Sequence, residues 1–350
     1  MPPVLPPSAP GPLGLVLPPV APPAVGAGWS TTRSTTEANT TGATTWLGDL
    51  CRTAEAAGAD ALWATDHLFW GMPTLECLTA LAVAATATRR ATLGTCVLQL
   101  PLRAPAAVAK QASTLQILSG GRFVLGVGVG SHEEEYRLAA ADYGRRGAEL
   151  DRGVAALRQA WASAEDPATR YRQEPSAPVP VWIGGSSPAA RRRAAASGDG
   201  WIPLFVPPDE FAEHLALLRE DTNRGGRHAS SVVAAVVMVA SVGDDASVAA
   251  TTGAAWLSRL YGIPPKAFRR HLVAGPAERC AEVASQYLAA GAQHVAVMLA
   301  GDEPVAQFAA LAAALAITTD TPNGRAHTPP GASGGTPPGT RTPILAGVAR

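Results

Sequence analysis

Four short stretches carry residue types that could do chemistry, and each lies at or just beyond the end of an apolar run of strand length. Asp66-His67 follows Ala61–Ala64. A histidine at a strand's C-terminal end can donate to or accept from a bound ring, and an acid beside it can fix its tautomer or anchor the loop. Thr95-Cys96-Val97-Leu98-Gln99 closes a second run. Its Cys96 reads as a small hydrophobe rather than a nucleophile, while the Gln99 amide both donates and accepts. In Gly126-Val127-Gly128-Val129-Gly130-Ser131, the bare Gly128 and Gly130 leave no side chain between backbone and a flat ligand. Val181-Trp182-Ile183-Gly184-Gly185-Ser186-Ser187-Pro188 runs through two glycines and two hydroxyls into a helix start, where free N–H groups could cradle a phosphate. An N-cap accounts for one of those serines but not for the paired glycines.

Two neighbouring features read as structural. Glu133, Glu134 and Glu135 open a helix, where acids are normally solvated and favourable to the dipole. Arg146, Gly147 and Glu149 open another, as a salt bridge or cap. The glycine pattern lacks a sixth-position glycine, having Ser131, and follows a fourth strand; both points disfavour a dinucleotide fingerprint.

The elements that must position these residues alternate between short β-type runs and longer amphipathic segments, the rhythm of a parallel sheet covered by helices. Eight strands are expected: Leu13–Leu17, Ala61–Ala64, Ala91–Leu98, Phe123–Val127, Val179–Ile183, Trp201–Leu204, Val232–Val239 and His294–Leu299. Helices are expected near Thr45–Ala57, Leu75–Thr88, Ala104–Leu118, Glu149–Ala162, Pro188–Ala196, Asp209–Arg219, Ala277–Ala289 and Val305–Ala316. Eight strands favour a closed (β/α)8 barrel over an open sheet, with the chemistry at the strands' C-terminal ends. Val20–Thr44 and Asp244–Gly275 read as loop insertions, the first as a lid over the barrel mouth. Domain limits are expected at 1–11 for a disordered start, 12–318 for the barrel and 319–350 for a disordered Pro/Gly/Thr-rich tail.

Composition removes several function classes. The chain has 350 residues, 47% hydrophobic, with 28 basic and 28 acidic residues scattered to a net charge of zero. Such balance offers no footprint for nucleic acid or an anionic membrane surface. Cys51, Cys77, Cys96 and Cys280 stand far apart without metal-type spacing, so reduced thiols in a cytoplasmic protein are expected, with no metal site. The proline-rich start MPPVLPPSAPGPLG does not suit an export signal, and the longest apolar run, Val232 to Ala240, is too short to span a bilayer as a helix.

The run Thr95-Cys96-Val97, Pro101-Leu102-Arg103-Ala104-Pro105, Ala109-Lys110, Leu118-Ser119-Gly120-Gly121-Arg122-Phe123 and Gly126 to Gly130 resembles the core signature of luciferase-like monooxygenases. That family includes FMN-dependent bacterial luciferases and alkanesulfonate monooxygenases, and actinobacterial enzymes that use the deazaflavin coenzyme F420. The resemblance implies a barrel enzyme transferring hydride between F420 and a small organic substrate. It places Asp66-His67 at the cofactor face and a non-proline cis peptide at Cys96-Val97, bulging toward the ring, with Gln99 at the ring's polar edge. Gly128, Gly130 and Ser131 would lie against the cofactor, and Gly184, Gly185 and Ser186 toward its phosphate end. Some deazaflavin-dependent sugar-phosphate dehydrogenases of the family have an acidic proton donor where this chain has Ser131. An FMN-dependent monooxygenase is the alternative, a non-catalytic flavin-binding barrel a further one, and a homodimer is the assembly to test. The lysine-poor, Ala-, Gly-, Pro- and Arg-rich composition suits an actinobacterium.

Overall fold

A computed structural model describes residues 10–19, 38–162 and 177–320. The expected N-terminal and C-terminal disorder and most of the expected lid fall outside the described residues. Eight positions around the barrel are filled by β1 (Leu13–Val16), β2 (Ala61–Ala64), β3 and β4 (Thr92–Thr95 and Leu98–Gln99), β5 (Phe123–Gly128), β6 (Val181–Gly184), β7 (Gly200–Ile202), β8 (Val233–Val242) and β10 (His294–Leu299). All pairings are parallel, and the ring closes through Leu13↔Val295 on one side of β10 and His294↔Ala235 on the other. This is a (β/α)8 barrel.

Around it lie α1 (Ala38–Ala56), α2 (Cys77–Ala87), α3 (Pro105–Leu118), α4 (Glu133–Leu138), α5 (Arg146–Ala162), α6 (Pro188–Ser197), α7 (Pro208–Arg224), α8 (Ala246–Tyr261), α9 (Ala277–Ala289) and α10 (Pro304–Asp320). Of these, α6 shows how such a helix starts, with Ser187 capping the N–H of Ala190 and Pro188 in the first turn.

Three expectations change. The single strand expected over Ala91–Leu98 is broken at Cys96-Val97 into β3 and β4, because the peptide there is cis and leaves the ladder. The segment Asp244–Gly275, expected as an inserted loop, supplies α8, held at its start by Asp245 accepting from Ser247 and Val248. It also supplies β9 (Leu272–Gly275), which pairs with the far end of β8, Val239↔Leu272, outside the ring. Finally, α1 begins at Ala38, so residues 38–44, expected as loop, are helical. Cys51, Cys77 and Cys280 are buried free cysteines and Cys96 is a half-buried one.

The barrel interior is filled by large rings set against glycines on neighbouring strands. Trp63 and Trp182 lie with centroids 5.1 Å apart. Gly94, paired with Trp63 across β2 and β3, would carry a Cβ 2.3 Å from that indole, and a Cβ on Gly200 would lie 2.5 Å from Trp182. Interiors at crystal-like density leave no slack for this. Gly94→Ala is therefore expected to destabilise the fold by about 1–3 kcal/mol through overpacking, checked by guanidinium denaturation; an unchanged midpoint would show that Trp63 can move aside.

Candidate functional site

The C-terminal strand ends surround a cavity of about 140 Å³, and the residues that the sequence placed at the cofactor line it. Asp66 and His67 come from the end of β2, Cys96, Val97 and Gln99 from the β3–β4 break, Gly128, Gly130 and Ser131 from β5, and Gly184, Gly185 and Ser186 from β6. Ile202, Leu204, Val237, Met298, Trp70 and Tyr261 form an apolar wall.

The cis Cys96–Val97 peptide stands where the family resemblance implies it. Its seat is made of glycine. A Cβ on Gly126 would lie 2.0 Å from the Thr95 carbonyl oxygen, one on Gly128 2.5 Å from Val97, and one on Gly184 2.7 Å from Val97. The bareness of Gly128 and Gly184 thus also makes room for the Val97 side chain, while both glycines line the cavity. Gly130, at φ 69°, faces Gln99, whose Oε1 would sit 1.9 Å from an added Cβ. Gly185 has φ 107°, a backbone that L side chains rarely adopt, so substitution there strains the chain as well as filling space.

Asp66 does not orient His67. Its buried carboxylate accepts from the Gln99 N–H at 2.9 Å and from Arg103 at 2.7 Å, so it ties the β2 loop to β4. The residue that does hold His67 is Glu135, read from the sequence as solvated. Glu135 Oε2 lies 2.9 Å from His67 Nδ1 and accepts from Gln99 Nε2 at 3.1 Å, while Oε1 accepts from the N–H groups of Leu68 at 2.6 Å and Phe69 at 3.1 Å. Burial pushes the Glu135 carboxyl up, but the His67 hydrogen bond and charge, with the Phe69 and Gln99 donors, hold it below the ordinary carboxylate value. An ionised carboxylate only accepts, so Nδ1 carries the proton and Nε2 is the ring nitrogen left for exchange.

His67 packs at a tilt on Trp70 with centroids 4.0 Å apart and meets the edge of His132 at 5.1 Å. Burial, and then the neighbouring His67, push His132 down. Ligand-type atoms of His67, His132 and Glu135 lie within 4.8 Å of one another, but four hydrogen bonds already occupy the Glu135 carboxylate, which makes the trio a hydrogen-bonded cluster rather than an open metal site. Burial pushes the Cys96 thiol up to about 12, consistent with a residue that packs rather than attacks.

Sequence reasoning missed Glu135, Trp70, Arg103 and Tyr261. The aromatic loop Leu68-Phe69-Trp70 beside His67 was a usable signal; nothing local separated Glu135 from Glu133 and Glu134. Two buried polar atoms at the cavity, Trp70 Nε1 and Gln99 Oε1, have no protein partner. Such orphans suit the polar edge of a ligand, and with the bulge and apolar wall they fit a flat heterocycle.

The family model of luciferase-like monooxygenases matches residues 27–313. Uncharacterized protein Rv0940c of Mycobacterium tuberculosis is 30% identical over 207 residues, covering 51% of this chain and 72% of that protein. An F420-dependent glucose-6-phosphate dehydrogenase of Nakamurella multipartita is 34% identical over 200 residues, covering 52% of this chain and 59% of that enzyme. In fold, the chain is similar to the crystal structure of monooxygenase RslO1 from Streptomyces bottropensis, with TM-score 0.69, 18% identity and coverage of 88% and 99%. Among the described residues no helix is long and apolar enough to cross a membrane. A match over most of the barrel, joined to a cis bulge and glycine-rich strand ends where the motifs require them, makes this chain an oxidoreductase of the luciferase-like monooxygenase family.

Proposed function

We propose that the chain binds coenzyme F420 at the strand ends and transfers hydride between it and a small organic substrate. The observation that carries this reading is the pair of half-buried His67 and buried Glu135 beside the cis bulge, with one ring nitrogen free for proton exchange. The cofactor, when bound, supplies the hydride donor or acceptor. Gln99 and Ser131 would hold the ring's polar edge, and the Gly185–Ser186 turn its phosphate end. His67 Nε2 takes the proton of a substrate hydroxyl as hydride leaves its carbon, or returns it to a carbonyl oxygen in the reverse direction. Glu135 keeps Nδ1–H in place and stabilises the imidazolium. The wall of Ile202, Leu204, Val237 and Met298 excludes water from the reacting face.

The F420-dependent relative at 34% identity supports the deazaflavin over FMN. An FMN-dependent monooxygenase is the second reading, favoured by the family at large. Fluorescence titration with both cofactors distinguishes them. Micromolar or tighter F420 binding, with weaker FMN binding, is expected; a preference for FMN with oxygen-dependent turnover would move the chain to the monooxygenase branch. Binding of neither would remove both.

A further inference from the structure

Next to the strand-end cavity lies a larger one of about 490 Å³, sharing Val129 with it and reaching Ser187 where the first ends at Ser186. Arg146, at the start of α5, and Arg192 and Arg193, on α6, line it. The charges around it do not balance. Arg193 Nε pairs with Asp151 at 2.7 Å. Arg146 donates to the Tyr143 carbonyl at 2.8 Å and lies over that ring at 3.9 Å, so the salt bridge or cap expected of it is not its role; Glu149 pairs with Arg145 and Arg152 instead. Neither Arg146 nor Arg192 has an acidic partner among the described residues. Guanidinium groups favour carboxylate and phosphate oxygens, and a concave site focuses their field.

We infer that this cavity receives the anionic tail of the cofactor: the glutamyl carboxylates of F420 beyond its phosphate lie against Arg146 and Arg192. The inference rests on the F420 reading and deepens it. A phosphate at Ser186 is adjacent to the arginine cavity, because Ser187 and Val129 border it. FMN ends at its phosphate, so it would leave Arg192 without an anion. The arginines thereby act as a selective element for a tailed deazaflavin, outside the reacting face.

Equilibrium fluorescence titration of the full chain with two probes tests this: F420 carrying several glutamates and the same deazaflavin phosphate with none. In the wild type at low salt the tail is expected to tighten binding about tenfold, with the gain shrinking as salt is raised. In Arg192→Glu the gain should vanish, while the tailless form, whose phosphate also meets the new charge, should weaken by less than the tailed one; Arg192 is exposed on a helix, so folding is not at stake. Arg146→Gln should lose part of the gain. Equal binding of tailed and tailless forms by the wild type, or a gain that survives Arg192→Glu, would overturn the inference and leave the F420 reading standing. Binding of neither form by the wild type would remove that reading and the inference with it.

Discussion

Replacing His67 with alanine is expected to lower turnover by about 10²- to 10⁴-fold, the usual range for losing a positioned acid–base group, while F420 affinity changes by no more than about threefold. The side chain is only 14% exposed and packs on Trp70, so its removal also leaves a gap and the variant's Tm is measured alongside its rate. What it removes is Nε2, the nitrogen left free once Glu135 holds Nδ1 at 2.9 Å. Single-turnover absorbance of the deazaflavin, with saturating cofactor and a substrate found from a panel of small alcohols and ketones, separates binding from chemistry. Added imidazole should restore part of the rate, which a purely structural role would not allow. Glu135→Gln, which keeps the shape but loses the charge, should depress turnover with little change in KM. Full turnover in His67→Ala, with only a lower Tm, would assign the pair to loop anchoring and place proton transfer elsewhere.

The second large effect is on stability against pH and lies at the other end of the barrel. His294 is fully buried, with Trp63 Nε1 donating to its Nε2 at 2.9 Å and its Nδ1 2.6 Å from the Gly11 carbonyl. The ring is therefore neutral, with the proton on Nδ1. A second proton on Nε2 would face the indole N–H. Burial pushes His294 down to about 4 from an ordinary 6.5, against the opposite pull of the Gly11 carbonyl. Between those values the unfolded chain binds the proton and the folded chain does not, so stability is present above about pH 6.5 and is lost as pH falls toward 4. The full loss is about 3 kcal/mol. His132 and His271, also pushed down by burial, share the same direction with weaker burial. Glu55, Glu76 and Glu135, held below 4.5, lose their contributions only at lower pH. Guanidinium midpoints measured at several pH values should fall steeply below 6.5 in the wild type and flatten in His294→Gln; equal slopes in the two proteins would refute the assignment.

The barrel and the address of its site were legible in the sequence, because short apolar runs of strand length spaced by amphipathic segments leave few topologies and parallel strands end on one face. Asp66, His67, Cys96, Gln99 and the glycine-rich ends could be placed on that face from chain order alone. Their roles could not. That Glu135 rather than Asp66 holds His67 depends on an approach across 68 residues of sequence, and its two neighbouring glutamates are locally indistinguishable from it. Likewise Gly128 and Gly184 look like ligand clearance in the sequence, and only in space do they prove to seat Val97 as well. The α8 helix was missed although Ala249, Gly253, Trp256, Leu257 and Leu260 recur at helical spacing, because the segment between the last two barrel strands was read as an insertion. Strand and helix follow from local periodicity, but which polar groups pair and which glycines are obligatory follow from contacts between distant segments, whose geometry exists only once the barrel closes.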